Sequence, residues 1–178
     1  MILRSLPNYL TLSRIVIIPF VVLLYYMGFC KLSASLFAYA CITDFLDGYL
    51  ARHYSLQSNL GRTLDPIADK LLVGAVIIML VNFAQINIIP ATAIICREIL
   101  VSGLREFLAE IRVSVPVSNL AKIKTGVQMV ALFILILGEE GTGSKMVPII
   151  GDVFIWIAAM LTIVTGYAYV RSGVKYLV

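Results

Sequence analysis

The chain is 178 residues long, and 61% of its residues are hydrophobic while only 13% are charged. An ordinary soluble domain carries about 25% charged residues, so this composition excludes a soluble globular domain, a disordered tail, a collagen-like repeat and a coiled coil. A bilayer span needs about 17–25 apolar residues, and the long uncharged stretches, such as 71–96 and 153–170, indicate an integral membrane protein. The net charge of +4 favours anionic headgroups and phosphates as ligands, and no segment suggests nucleic-acid binding.

In chain order, the pattern predicts an all-α membrane protein with a short N-terminal cytoplasmic or interfacial segment over 2–10, where Pro7 and Asn8 mark a turn. Asp65 and Pro66 predict the start of the third helix, since Asp caps free N–H groups and proline suits a first turn. Ser118 is placed to cap the fifth helix. We expect one domain over 1–178 with six transmembrane helices, at roughly 11–30, 32–52, 66–83, 89–109, 120–138 and 149–170.

The distribution of basic residues predicts the orientation of these helices. Eleven Lys and Arg side chains lie on one side, or at helix ends that face it, whereas only Lys31 and Lys145 lie on the other. Because cytoplasmic loops are enriched in basic residues, we expect both termini to face the cytoplasm from the cell (inner) membrane. The start of the chain also resembles a signal peptide, but the further apolar stretches favour an uncleaved first helix.

Four of the five aspartates lie within 26 positions, near the cytoplasmic ends of the second and third predicted helices. Asp44 and Asp47 are three positions apart and share one helix face, and Asp65 and Asp69, four apart, share another. The short connection makes the two helices antiparallel neighbours, so the four carboxylates converge. Such a concentration of negative charge needs compensation, and oxygen ligands suit hard cations such as Mg²⁺ or Mn²⁺. The pattern therefore predicts a two-metal site for phosphoryl transfer.

Small and basic residues next to the aspartates have a matching interpretation. Gly48 and Ala51 leave room on the second helix for a bulky ligand to approach the backbone, and Arg52 can bind phosphate oxygens bidentately. Gly61 permits a tight turn between the two helices. This segment therefore predicts that a phosphate-bearing ligand binds beside the metal ions.

The pattern D-x2-D-G-x2-A-R-x8-G-x3-D-x3-D, from Asp44 to Asp69, resembles the signature of the CDP-alcohol phosphotransferase family. Its members are six-helix membrane enzymes that transfer a substituted phosphate from a CDP-linked donor to an alcohol and release CMP. The resemblance implies that Asp44 and Asp65 bridge two divalent cations, that Asp47 completes the binding of one, and that the other is held by the catalytic base, Asp69. It also implies a homodimer, and a set of residues that bind the donor, here CDP-diacylglycerol: Pro7, Asn8, Tyr9, Leu10, Gly48, Ala51, Arg52 and Ser58.

Further patches resemble the phosphatidylglycerophosphate synthase branch of this family, and they cover 6–14, 97–106 and 122–129. Arg97 lies inside a predicted span, where a cation needs an acid, water or an anionic ligand. Glu98 and Arg105, seven positions apart, share one side of the same helix. We therefore expect an acceptor with its own phosphate, glycerol 3-phosphate, bound by Arg97, Arg105, Lys122 and Lys124. A purely structural ion pair between Arg97 and Glu98 is the alternative.

Other functions stay open at this point. Within the family, the acceptor could instead be phosphatidylglycerol, serine or inositol phosphate. From another class, a small cation transporter also carries acidic residues inside its helices, although a path should continue across the membrane, whereas Glu139, Glu140 and Asp152 lie at the far rim. The expected reaction converts CDP-diacylglycerol and glycerol 3-phosphate into phosphatidylglycerol phosphate and CMP, with the acyl chains held among membrane lipids.

Overall fold

A computed structural model describes residues 2–53, 59–113 and 118–176, and it describes their side chains over 11–44, 64–113 and 118–176. Within these residues the protein contains six α-helices and no β-strand, which confirms the all-α fold. The helices are α1 (Ile2–Tyr26), α2 (Cys30–His53), α3 (Asn59–Asn82), α4 (Ile88–Glu110), α5 (Asn119–Thr142) and α6 (Met146–Val174).

The length of the helices is sufficient to cross a bilayer. The shortest, α4, has 23 residues, which corresponds to about 34 Å at the rise of an α-helix, against about 30 Å of hydrocarbon. Among the described residues, α5 and α6 are also apolar enough by composition, and α1 has a shorter apolar part, Thr11–Tyr26. The structure therefore shows some helices of membrane-spanning character, while six crossings stay a prediction.

The outer surface of the bundle supports association with a membrane. Large exposed apolar side chains occur on every one of the six helices, for example Val16 on α1, Ile99 on α4 and Met160 on α6. The side chains of the last two are each 65% exposed. Soluble monomers rarely expose apolar surface on this scale. Lipid is the environment that suits such a surface.

Consecutive helices alternate in direction, so the odd-numbered helices run one way and the even-numbered helices run the other way. The aromatic rings of Tyr25 and Phe83, at the last residues of α1 and just after α3, lie 5.1 Å apart between centroids. Gly166 and Gly173 of α6 lie against Arg97 and Leu104 of α4, in the same order along both helices, so α4 and α6 run parallel. One end of the bundle, here called the inner end, therefore holds the first residues of α1, α3 and α5 and the last residues of α2, α4 and α6. The core between the helices is apolar and includes Val21, Phe37, Ile77, Ile94, Leu132 and Ile155.

The N-terminal segment differs from its prediction. Residues 2–10 were expected to precede the first helix, but they form the first turns of α1, and Pro7 lies inside this helix. Proline removes one backbone hydrogen bond from a helix, and here that loss does not end the helix.

The start of α3 was also predicted wrongly. The helix begins at Asn59, so Pro66 lies inside it and Asp65 does not cap it. Gly61 likewise lies within α3 and does not form the turn between α2 and α3. An Asp-Pro pair suits a helix start locally, but the carboxylate of Asp65 contacts α1, as described below.

Other boundaries follow the sequence pattern closely. The uncharged stretch 71–96 is divided by a turn, and Asn87 caps α4 by accepting a hydrogen bond from the Ile89 backbone N–H at 2.9 Å. Ser118 accepts from the Ala121 N–H at 3.3 Å at the start of α5, as predicted. Gly138, the predicted end of the fifth helix, has a φ of 53° that interrupts α5 before a last turn. Glycine suits this left-handed conformation because it has no Cβ.

Candidate active site

Arg14 lies at the centre of a charged cluster where α1 meets α2 and α3. Its side chain is only 1% exposed. Its Nη1 donates to Oδ1 of Asp44 and, over 2.8 Å, to Oδ1 of Asp69, while its Nη2 lies 3.6 Å from Oδ1 of Asp65. A guanidinium suits this position because it presents several N–H donors in one rigid plane. Three of the four predicted site aspartates are thus brought together around one cation from a third helix.

Thr11 adds a second contact from α1 to the same cluster. It precedes Arg14 by three residues and so lies on the same helix face, and its hydroxyl donates to Oδ1 of Asp65. Hydrogen bonds to a carboxylate are stronger than neutral ones. Asp65 therefore joins α3 to α1.

The acidic side of the cluster is open. The carboxylates of Asp44, Asp65 and Asp69 are 38–41% exposed, whereas Arg14 behind them is buried. With all four groups ionised, three negative charges against one positive charge leave a formal charge of −2. An open, negatively charged set of oxygen donors is the chemistry that hard cations such as Mg²⁺ and Mn²⁺ require. The donor set therefore fits the predicted metal ions.

The described carboxylates nevertheless gather around Arg14 and not around a common ion position. Among the side chains that the structure describes, no three Asp, Glu, Cys or His groups surround one shared point. Asp47, the fourth predicted ligand, lies on α2 with its side chain outside the described set. Metal binding by these residues is therefore still a prediction.

The predicted donor-binding residues flank this cluster along the chain. Four of them belong to the first turns of α1 and three to the last turns of α2, and their side chains lie outside the described set: Pro7, Asn8, Tyr9, Leu10, Gly48, Ala51 and Arg52. Ser58 lies outside the described residues altogether. The start of α1 and the end of α2 both belong to the inner end of the bundle, as do Asp44, Asp65 and Asp69.

Two of the four predicted acceptor-binding cations meet in a second cluster. Lys124 of α5 is 1% exposed, and its ammonium binds Oε1 of Glu98 on α4. Nη1 of Arg97 lies 3.5 Å from the same oxygen, and its Nη2 donates to Oγ1 of Thr165 on α6 at 3.2 Å. The ion pair between Arg97 and Glu98 considered from the sequence is therefore present, and it includes Lys124.

The other two predicted cations lie apart from this pair. Arg105 is exposed, and its Cζ lies 5.8 Å from the ring centroid of Tyr169 on α6, a distance at which a cation is attracted to an aromatic face. Lys122 is exposed near the start of α5. The four residues thus divide into a buried pair and an exposed pair.

Sequence reasoning missed Arg14 and Thr11 as members of the acidic cluster, and it missed the pairing of Glu98 with Lys124. Arg14 was counted among the residues that set the orientation and lies in the patch 6–14, but it was given no contact with the aspartates. A signal was present, since an arginine that adjoins a long apolar run must find a partner or reach water, and Thr11 lies one turn away from it on the same face. The partner could not be named, because Arg14 and Asp69 are 55 positions apart and no local periodicity links them.

Comparison with known proteins identifies the family to which this chain belongs. The family model described as CDP-alcohol phosphatidyltransferase matches residues 4–164. The chain therefore belongs to the CDP-alcohol phosphatidyltransferase family and is an enzyme of that class.

The chain is also similar to individual proteins over nearly its whole length. The chain is 54% identical over 176 residues to a protein of Rickettsia felis, with 97% of each chain covered. It is 39% identical over 176 residues to a protein of Pectobacterium atrosepticum, with 95% of this chain and 94% of the relative covered. A relative from Cereibacter sphaeroides is 36% identical, with 97% of each chain covered. All three carry the name CDP-diacylglycerol–glycerol-3-phosphate 3-phosphatidyltransferase.

Proposed function

We propose that the protein transfers the phosphatidyl group from CDP-diacylglycerol to sn-glycerol 3-phosphate, giving phosphatidylglycerol phosphate and CMP. The observation that carries this proposal is the 54% identity, over nearly the whole of both chains, to a relative named for this reaction. The cluster of Asp44, Asp65 and Asp69 at one end of the bundle supports the same chemistry, because phosphoryl transfer depends on positioning and on charge neutralisation.

In this reaction Asp69 is the general base. It accepts the proton of the glycerol 1-hydroxyl while that oxygen bonds to the phosphorus that bears diacylglycerol, and the bond from this phosphorus to the CMP oxygen breaks. Arg14 supports the step by holding Oδ1 of Asp69 at 2.8 Å and so fixing the direction of the carboxylate. A base must lie within hydrogen-bond reach of the proton it removes, so this orientation matters for the rate.

Asp44, Asp47, Asp65 and Asp69 are the residues that would hold two divalent cations, Mg²⁺ or Mn²⁺. Bound there, the ions would neutralise the pyrophosphate and the departing CMP, which is the electrostatic contribution expected in phosphoryl transfer. The formal charge of −2 on the described part of the cluster supports this assignment.

The acceptor's phosphate would bind to basic residues of α4 and α5. Arg105 and Lys122 are exposed and therefore accessible to a soluble anion. Arg97 and Lys124 are already bound to Glu98, so their contribution depends on that carboxylate. Phosphatidylglycerol, serine and inositol phosphate stay alternative acceptors, whereas membership in an enzyme family disfavours the cation transporter.

The membrane placement belongs to the same proposal. Six membrane-spanning helices, with both termini and the aspartates on the cytoplasmic side, are supported by the excess of Lys and Arg at the inner end and by exposed apolar side chains on all six helices. The inner end would lie at the headgroup level, where the acyl chains of the donor stay in lipid. The homodimer implied by the family resemblance is retained as a prediction.

An acceptor assay tests the proposed reaction. The purified protein in detergent micelles is given CDP-diacylglycerol with glycerol 3-phosphate, phosphatidylglycerol, serine or inositol phosphate, each alone, and CMP release is measured. We expect release with glycerol 3-phosphate and a phosphatidylglycerol phosphate product. Release that occurs only with another acceptor would contradict the proposal, and Asp69→Asn supplies the background rate.

A further inference from the structure

Lys124 is a buried cation whose position depends on one acid. Its side chain is 1% exposed, and Glu98 is its ion-pair partner among the described residues. A buried ammonium without a partner is strongly unfavourable. Its flexible four-carbon stem can also take many positions. The Glu98 carboxylate therefore determines where the ammonium of Lys124 lies.

Arg97 is positioned from a different direction. Besides its contact with Glu98, it donates to Thr165, and its side chain packs on Gly166, where a Cβ atom would lie 2.8 Å from the Arg97 Cγ. Helix α6 thus holds Arg97 independently. With two cations and one acid, this group has a formal charge of +1, which favours an anion.

The second cluster has hydrogen-bonding capacity that the protein does not use. Nε of Arg97 and Oε1 of Gln128 are buried and make no hydrogen bond with the described residues. Gln128 is 1% exposed and lies four residues after Lys124, on the same side of α5. Buried polar atoms are normally paired, so two that are not, beside a net positive charge, indicate space for a polar ligand.

Glu98 is the most exposed member of this group, and Arg97 is partly exposed as well. The Glu98 side chain is 25% exposed and lines a cavity of about 450 Å³ between α3 and α4. The α3 side of this cavity includes Lys70, the residue next to Asp69. The cavity therefore extends from the helix that carries the proposed base to the carboxylate that holds Lys124.

We infer that Glu98 is a positioning residue for the acceptor, which holds the ammonium of Lys124 where it binds the acceptor's phosphate. The inference rests on the proposed function and deepens it. Glu98 itself repels phosphate, so its effect on acceptor binding passes through Lys124. A purely structural ion pair would have no preference between the two substrates.

The test separates these two roles by measuring KM for each substrate. Glu98→Gln removes the charge and keeps the shape, and Lys124→Met removes the ammonium. We expect each variant to raise KM for glycerol 3-phosphate about tenfold, the scale of one charged hydrogen bond, with KM for CDP-diacylglycerol changed less than about twofold. The double variant should be no worse than Lys124→Met alone, since residues that act through one another are not additive.

Further variants control for folding and for charge. Glu98→Asp keeps the carboxylate and should restore part of the acceptor affinity. Glu110→Gln, on the same helix and exposed, removes an acid of the same kind and should leave both KM values unchanged. The thermal unfolding midpoint of each variant in detergent shows whether it is folded, and the KM values are compared for folded variants.

The results also distinguish this inference from the proposed reaction. If the wild-type protein releases CMP with glycerol 3-phosphate but Glu98→Gln leaves the acceptor KM unchanged, or raises both KM values equally, the positioning role is wrong and the reaction stands. Additive effects in the double variant would also overturn it. If the wild-type protein does not use glycerol 3-phosphate, the proposed function itself fails.

Discussion

The two charged clusters of this protein are built in the same way and carry opposite charge. Each has a basic side chain that is 1% exposed, Arg14 in one and Lys124 in the other. Among the described side chains, three carboxylates lie around Arg14, whereas Lys124 and Arg97 share the carboxylate of Glu98. The formal charge of these described groups is −2 in the first cluster and +1 in the second. A buried cation by itself therefore does not indicate which charge of ligand its cluster would bind. The number of carboxylates around the cation indicates this, because it sets the sign of the remaining charge.

The clusters also come from different halves of the chain. Helices α1, α2 and α3 supply the acidic cluster, and α4, α5 and α6 supply the basic one. A reaction between a metal-bound donor and an anionic acceptor requires both kinds of surface. The division suggests that each half of the bundle is specialised for one substrate, and the following experiments test that division.

Removal of divalent cations should have the largest effect. The acidic cluster has excess negative charge that Mg²⁺ or Mn²⁺ would neutralise, so EDTA should abolish CMP release and either ion should restore it. The measurement is the initial rate before chelation, after chelation and after metal addition. Full turnover in EDTA would contradict the two-metal interpretation. It would also contradict the assignment of the acidic cluster, as opposed to the basic one, to metal binding.

Asp69→Asn should lower turnover by roughly 10²–10⁴, the usual contribution of a positioned base. The amide keeps the size of the side chain, so the fold should persist, as a preserved thermal unfolding midpoint would show. CMP release at saturating substrates measures the effect. Near-normal turnover would exclude Asp69 as the base.

Arg14→Met should lower the free energy of unfolding by about 1–3 kcal/mol, because it removes charged hydrogen bonds from carboxylates that water still reaches. Arg171→Met, which removes an exposed arginine from α6, is the matched control and should change stability little. Thermal unfolding in detergent compares the two. Arg14→Lys should be intermediate, since it keeps the charge and loses the planar fork.

The smallest expected effect is on acceptor binding by an exposed cation. Arg105→Ala should raise KM for glycerol 3-phosphate about tenfold or less, because a solvated charge contributes modestly, and it should affect KM for CDP-diacylglycerol less. Steady-state kinetics with each substrate varied in turn provide the comparison. An equal effect on both substrates would argue against an acceptor-phosphate site at Arg105.

The sequence was sufficient for features that depend on local spacing. The i, i+4 pair Asp65 and Asp69 predicted two carboxylates on one face of a helix, and the predicted helices at 66–83 and 89–109 left a break where the structure has the turn before α4. Features that depend on contacts between distant helices were missed or wrong. Pro66 has the local character of a helix start, yet α3 begins at Asn59, and the carboxylate of Asp65 contacts Thr11 and Arg14 of α1.

The same distinction applies to the site. The convergence of the aspartates could be derived from their spacing and from the short connection between two helices. The position of Arg14 in that cluster could not, since it depends on how α1 packs against α2 and α3. The pairing of Lys124 with Glu98 across α4 and α5 was likewise not determined by either helix alone.

The contact of Arg14 with three later residues has a consequence for biosynthesis. Arg14 precedes Asp44 by 30 positions and Asp69 by 55 positions, so the ribosome makes the cation first and its partners afterwards. In the membrane placement proposed above, the inner end would keep this guanidinium near water and headgroups while the nascent chain elongates. The burial of Arg14 can be completed only after α3 has been synthesised and has packed against α1. The acidic half of the bundle can therefore assemble co-translationally, before the helices of the other half have been synthesised.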